Sequence, residues 1–306
     1  MNIYQQLAIE FYQKMDDREF IQSAFKIIDK DRKEVPFIFN TTQNKLWDNM
    51  ADWNVVLKYR KPGISVMVQS IMLSRCIRKK NQNCVVLSFD KESTVRQLER
   101  TEWSLKHMPF NLSLARESKN EFKIEATNSK LFIGVAGSKA FGRGDDIDFL
   151  HVSELAWWEN PEILYGILEA LTPKAMVFVE STANGPVNEF ARLYRKGKEG
   201  KSKWKSHFFP WWIDPELQME TPMHFVHTEE EIQVKAAYNL TDQQLAWRRW
   251  KIANMLEPEL FPQEYPASDS EAFLVLGDCV FNKRALANYD RLVKDPMLVG
   301  ELLNVA

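Results

Sequence analysis

The chain has 306 residues, 45% of them hydrophobic, which is enough for one large α/β domain with a small satellite, or for two domains. A formal net charge of −2 provides no overall cationic field, so any nucleic-acid binding has to come from local basic patches or from oligomerisation. Cys76, Cys84 and Cys279 form no CxxC pair, and no apolar run approaches the roughly 20 residues of a membrane helix. With no secretory signal pattern at the N-terminus, the expectation is a soluble intracellular protein without disulfides or structural zinc.

In chain order, Leu7, Phe11, Met15, Phe20, Phe25 and Ile28 recur at near-helical intervals with charges between them, which predicts an amphipathic N-terminal helical lid over 1–35. From Pro36 the pattern changes to short β-rich runs at 37–40, 53–58, 84–89, 131–136, 148–152 and 175–180. Polar helical stretches separate them, with crossover helices expected at 67–77 and 91–108. Such alternation predicts a mostly parallel sheet flanked by helices, occupying 36–200, with its strand ends on one rim. Past Gly200 the chain turns basic, then aromatic and proline-punctuated, and 201–306 is expected to form a small subdomain or linker rather than more sheet. Within it a helix is predicted over 241–256, with Thr241 as N-cap.

Three strand-to-loop segments carry candidate chemistry. At 55–65 an apolar strand runs into a cationic turn and then a helix opened by Ser65. Backbone N–H groups converging at a helix N-terminus bind phosphate oxygens, a lysine neutralises them, and an initial hydroxyl can ligate Mg²⁺. The usual GxxxxGK[ST] is absent, with Ile64 where its lysine would stand, so Lys58, Arg60 and Lys61 are all candidate cations. Pro62 and Gly63 complete the turn. The strand at 148–152 runs through Ser153 to Glu154, the candidate general base that directs water at a γ-phosphate. Ser153 stands where many ATPases carry an aspartate, and Asp148 lies at the wrong end of the strand. Just upstream, Arg143 sits between Gly142 and Gly144, where an arginine can reach the charge that develops in phosphoryl transfer, an effect worth roughly 10³–10⁵ in rate. The third strand ends in Ser181, Thr182, Ala183, Asn184 and Gly185, small polar groups suited to sensing a γ-phosphate. Gln43, ahead of the core, has an amide able to pair with adenine. Each segment alone also fits an ordinary polar loop or helix cap.

Taken together, LKYRKPGIS, GRG…FLHVSELAWW, FVESTANG and FPQEYPASDSEAF resemble the ATPase region of large terminase subunits of tailed double-stranded DNA bacteriophages, an additional-strand P-loop class. The resemblance runs from about Phe37 to Phe281. Terminases of this type often carry a displaced lysine, roughly K-x-R-Q-x-G-x-S, which makes Lys58 the preferred phosphate-binding residue, with Lys61 in the place of the glutamine. It further implies Gln43 for adenine, Ser65 and, through water, Ser153 for Mg²⁺, Glu154 for catalysis, Arg143 as a cis- or trans-acting arginine, and 181–185 for coupling. The implied activity is ATP hydrolysis driving double-stranded DNA into a procapsid in the host cytoplasm. The implied partners are a portal, a small terminase subunit and further copies in a ring. The C-terminal acids, Asp269, Asp278, Asp290 and Asp295, form no strand-end cluster, so no nuclease activity is expected from this chain. Two other readings are a helicase-like or repair ATPase and a nucleotide-free DNA-binding or assembly module.

Overall fold

In the computed structural model, which describes residues 10–12, 14–118, 120–137 and 146–274, alternating strands and helices build a single eight-stranded sheet with helices on both faces. Helix α1 (Asp17–Ala24), capped by Asp16, buries Phe20, Ile21 and Ala24 and leads into a two-stranded hairpin of β1 (Lys26–Ile28) and β2 (Glu34–Pro36). There follow α2 (Thr41–Asn49), β3 (Trp53–Lys58), α3 (Ile64–Arg78), β4 (Asn83–Ser88) and α4 (Lys91–Lys106). Next come β5 (Leu114–Ser118), β6 (Glu121–Ile124), β7 (Ser129–Val135), β8 (Ile147–Ser153), α5 (Ile163–Leu168), β9 (Leu171–Ser181), α6 (Glu189–Lys198) and β10 (Trp204–Phe209). Helices α7 (Glu229–Tyr238) and α8 (Asp242–Ala253) complete the main elements, and Thr241 caps α8 in a reciprocal capping box with Gln244. No helix among the described residues is long and apolar enough to cross a membrane.

The strand order is β10-β3-β9-β8-β4-β7-β6-β5, parallel from β10 to β7 and antiparallel across β6 and β5. Side chains alternate across the pleat, and the two faces bury different sets. Val56, Val86, Phe149 and Phe178 pack with Met67, Val68, Ile71 and Met72 of α3 on one face. Val55, Leu57, Val85, Leu87, Leu150, Val152, Val177 and Val179 pack with Phe190, Leu193 and Tyr194 of α6 on the other. Strands buried on both sides read as continuous apolar runs, which is why the parallel core strands are recognisable from sequence.

Two expectations are corrected. Residues 37–40 are not a strand: Asn40 is the N-cap of α2, and Phe37 and Phe39 are buried as a loop packed under it. Gln43 lies in the first turn of α2, the helix that leads into β3, the first strand of the large sheet in chain order. The chain past Gly200 does add sheet, because β10 pairs in parallel register with β3, Trp204 opposite Trp53 and Phe209 opposite Lys58. Trp204, His207 and Phe209 are buried there, and β10 is an edge strand of the sheet.

Candidate nucleotide site at the strand ends

Strand β3 ends on Lys58, and the loop that follows is fixed from both sides. Tyr59 is buried, and its hydroxyl donates to Asp214 Oδ2 at 2.9 Å and lies 3.2 Å from Thr42 Oγ1. The Arg60 N–H donates to the carbonyl of Glu264 at 2.8 Å while its guanidinium pairs with the Glu264 carboxylate at 2.7 Å. From the α2 side, Asn40 Nδ2 donates to the Pro62 carbonyl at 3.0 Å and Gln43 Nε2 to the Gly63 carbonyl at 2.8 Å. Lys61 and Gly63 both adopt left-handed backbone, with φ of 64° and 79°. The left-handed backbone at Gly63 favours glycine, and a Cβ there would displace the Gln43 amide, whose Nε2 would lie 2.8 Å away. Gly63 caps α3 without any side-chain hydrogen bond, so Ile64 and Ser65 open a helix whose first-turn N–H groups no side chain caps. A pinned cationic loop over such a helix start is a cradle for phosphate oxygens.

Beneath the loop the three central strands converge on a buried ionic cluster. Lys58 is 4% exposed and Glu180, near the end of β9, is 0% exposed. Lys58 Nζ lies 2.7 Å from Glu154 Oε1 and 3.1 Å from Glu180 Oε2. Glu180 Oε1 accepts from Ser65 Oγ and from Ser153 Oγ, each at 2.8 Å, and lies 3.3 Å from His151 Nε2. Burial works against the charge on Lys58, but the two carboxylates outweigh it and raise its pKa above the ordinary lysine range. Burial also pushes Glu180 upward, yet Lys58, with His151 and Ser65, holds it well below the usual carboxylate range. All these groups stand at the C-terminal ends of β3, β8 and β9, the rim where parallel sheets take their ligands.

Glu154 follows β8 directly and adopts left-handed backbone, φ 57° and ψ 45°, a conformation that costs a non-glycine residue about 1 kcal/mol or more and gathers at functional sites. Its N–H donates to the Glu180 carbonyl at 2.7 Å, which holds the turn against β9. Oε2 accepts from Ser181 Oγ at 3.1 Å and from the Thr182 N–H at 3.2 Å. The same segment wraps the turn after Glu154. Thr182 Oγ1 accepts from Trp157 Nε1 at 3.2 Å, Asn184 Nδ2 donates to the Ala156 carbonyl at 3.0 Å, and Asn188, the N-cap of α6, donates to the carbonyls of Asn184 and Gly185. Ala183 is buried between them. Residues 181–185 therefore form a direct connection from the Glu154 carboxylate to α6.

Of the sequence-derived candidates, Lys58, Ser65, Ser153, Glu154 and 181–185 meet in one place. Arg60 is turned to Glu264, Lys61 lies on the exposed outer side of the loop, and Gln43 has its amide engaged with Gly63 and Asn40. Asp148 is at the far end of β8, bonded to the Asn83 N–H and Thr172 Oγ1. Arg143 lies outside the described residues. Sequence reasoning missed Glu180 and His151. The one signal was a charged residue closing the apolar run FVE, read there only as a strand end.

No family model matches the sequence, and no curated protein matches it. Solved structures do. The HK97 bacteriophage large terminase superposes with a TM-score of 0.58 at 14% identity, covering 82% of this chain and 53% of that one. An arginine-to-alanine variant of the Thermus phage P74-26 large terminase ATPase domain gives a TM-score of 0.50 at 13% identity, covering 76% of this chain and 94% of that domain. The chain thus spans about half the length of the HK97 protein and nearly the whole of the isolated Thermus phage domain. Its mostly parallel eight-stranded sheet with flanking helices is the fold of phage large terminase ATPase domains.

Proposed function

We propose that this chain is the ATP-hydrolysing motor region of a viral DNA-packaging large terminase. The observation that carries the reading is the Lys58–Glu154–Glu180 cluster beneath the Gly63 loop, at the strand ends of a terminase-type sheet. The residues fit a nucleoside triphosphate with its metal: the cradle turns through a left-handed glycine, the α3 start carries no side-chain cap, and a charged lysine and two hydroxyls meet at the same carboxylate. Mg²⁺, when bound, would neutralise phosphate charge, and Ser65 and Ser153 are the residues that would hold it, Ser153 through water.

In this mechanism Lys58 exchanges Glu154 for the phosphate oxygens while keeping Glu180 as its counter-ion. Glu154, a quarter exposed and freed from Lys58, takes the proton of a water as that oxygen bonds the γ-phosphorus. The bond from the γ-phosphorus to the bridging oxygen breaks, leaving ADP and phosphate. Ser181 and Thr182, which hold the other Glu154 oxygen, register the change and pass it to α6. Arg60, Lys61, Gln43 and Arg143 remain assigned to the outer phosphates, the base and the developing charge by the terminase resemblance. Contact with double-stranded DNA, to phosphates and so salt-sensitive, is assigned to the basic stretch 192–205, with portal, small subunit and ring neighbours as protein partners.

ATP turnover by the chain, alone and with purified portal or procapsid, tests the proposal. An active wild type whose Lys58→Ala and Glu154→Ala variants turn over ATP equally well would reject the site. An ATPase that neither portal nor procapsid stimulates would reject the packaging role in favour of a helicase-like or repair ATPase. Complete absence of nucleotide binding would leave a DNA-binding or assembly module.

A further inference from the structure

We infer that Glu180 is the positioning carboxylate of the Mg²⁺ site, replacing from a neighbouring strand the aspartate that β8 lacks at Ser153; this rests on the ATPase reading above. A hydroxyl has one proton to donate and two lone pairs to offer. Ser65 Oγ and Ser153 Oγ both donate that single proton to the same oxygen, Glu180 Oε1, at 2.8 Å each. Both hydroxyl oxygens thereby keep their lone pairs free to accept from water or to ligate a cation. The shared carboxylate also makes the two oxygens more electron-rich than hydroxyls bonded to a neutral partner, the effect by which outer carboxylates tune metal ligands.

The strand register explains why the substitution works geometrically. Glu180 pairs with Ser153 on β8 and with Val56 on β3, so its side chain rises on the same face as Ser153 and Lys58, between the two strands. Ser65 reaches it from the first turn of α3 above. A plain counter-ion for Lys58 would need only the contact to Oε2, at 3.1 Å. The second oxygen is committed instead to the two hydroxyls, at 2.8 Å each, with His151 Nε2 farther off at 3.3 Å. An aspartate at position 153 beside it would bring two carboxylates together in a buried site, and the serine avoids that repulsion.

The test is the Mg²⁺ dependence of ATP binding, read by titrating the full chain with a fluorescent ATP analogue in EDTA and over a Mg²⁺ series, with thermal melts confirming the fold. Glu180→Gln should raise the Mg²⁺ concentration needed for half of the affinity gain by about 10–100-fold while metal-free binding persists. Ser153→Ala, which deletes only a hydroxyl, should shift the same midpoint in the same direction and decides the matter if Glu180→Gln does not fold. The double variant Ser153→Asp/Glu180→Gln, which moves the carboxylate back onto β8, should return the midpoint toward the wild-type value. An unchanged midpoint in Glu180→Gln or in Ser153→Ala overturns the inference, as does an equal loss of binding with and without Mg²⁺. A wild type that binds the analogue under neither condition overturns the ATPase reading itself.

Discussion

Replacing Lys58 by methionine keeps most of the side-chain volume and removes one charge, and its cost follows from what stays behind. Glu154 is partly exposed and can turn to water, but Glu180 is completely buried and would be left with two hydroxyls and a histidine for company. Deleting one member of a buried pair costs about 3–5 kcal/mol, because the remaining charge is uncompensated. That is a large fraction of the 5–15 kcal/mol by which domains are typically stable. The pH dependence distinguishes this cause from simple loss of packing. In the wild type the depressed Glu180 contributes stability that is present above its ordinary value near 4.5 and lost only as the pH falls through its lower folded value. The raised Lys58 contributes stability present below 10.5 and lost as the pH rises through its higher folded value. Between pH 5 and 9 neither Lys58 nor Glu180 gives the wild type a slope. In Lys58→Met, burial still pushes Glu180 upward and its strongest opposing influence is gone, leaving only His151 and Ser65 to hold it down, so its folded value rises; where it passes the ordinary value, stability falls as the pH rises above about 4.5, by at most about 1.4 kcal/mol per unit. Urea denaturation at pH 5, 6.5 and 8 measures both effects, and Lys58→Met/Glu180→Gln should recover most of the loss and abolish the slope. A single variant within about 0.5 kcal/mol of wild type at pH 8, the size of an ordinary surface change, would refute the buried-charge argument.

Glu154→Gln should lower ATP turnover by about 10²–10⁴-fold while retaining nucleotide binding, as measured by phosphate release beside analogue titration. Its stability should change far less than that of Lys58→Met, since Lys58 keeps Glu180. Gly63→Ala should lose about 1 kcal/mol or more in denaturant, because its left-handed backbone strains an alanine, and the Gln43 amide displaced by the new Cβ should loosen the loop and weaken ATP binding. Arg60→Ala breaks an exposed pair with Glu264 and should cost under about 1 kcal/mol, with a smaller effect on turnover than any Lys58 variant. A turnover defect in Arg60→Ala equal to that of Lys58→Ala would move the principal phosphate cation from Lys58 to Arg60.

The central strands were legible because both of their faces are buried, so 53–58, 84–89, 131–136, 148–152 and 175–180 appear as apolar runs whatever packs on them. The other strands lack that signature. In β6 only Phe122 and Ile124 are buried, alternating with polar neighbours, and β1 and β2 are three residues each. Residues 37–40 carry a strand-like composition, but the Asn40–Gln43 capping box decides the local structure in favour of a helix start, a signal spaced three residues apart rather than two. The loop and Glu154 could be found because each is local in sequence. Glu180 could not, because its role depends on Lys58, Ser65 and Ser153 meeting it from three other elements, and only the β3-β9-β8 order brings them there.

That order also joins the two departures from the expected phosphate-loop pattern into one change. A lysine on the helix start would reach phosphate from above; Lys58 instead ends a strand, shares the face of Val56 two residues before it, and rises from the sheet on the α3 side. From there its ammonium is buried and needs a counter-charge within the sheet, which Glu180 on β9, opposite Val56 and on the same face, supplies. With Glu180 already holding the Ser65 hydroxyl, a second carboxylate on β8 would face it at hydrogen-bond distance, so a serine at 153 is the compatible partner. The displaced lysine, the missing aspartate and the buried glutamate are therefore coupled, and substitutions among Lys58, Ser153 and Glu180 should be non-additive in double-mutant cycles, whereas Arg60 combined with any of them should be additive.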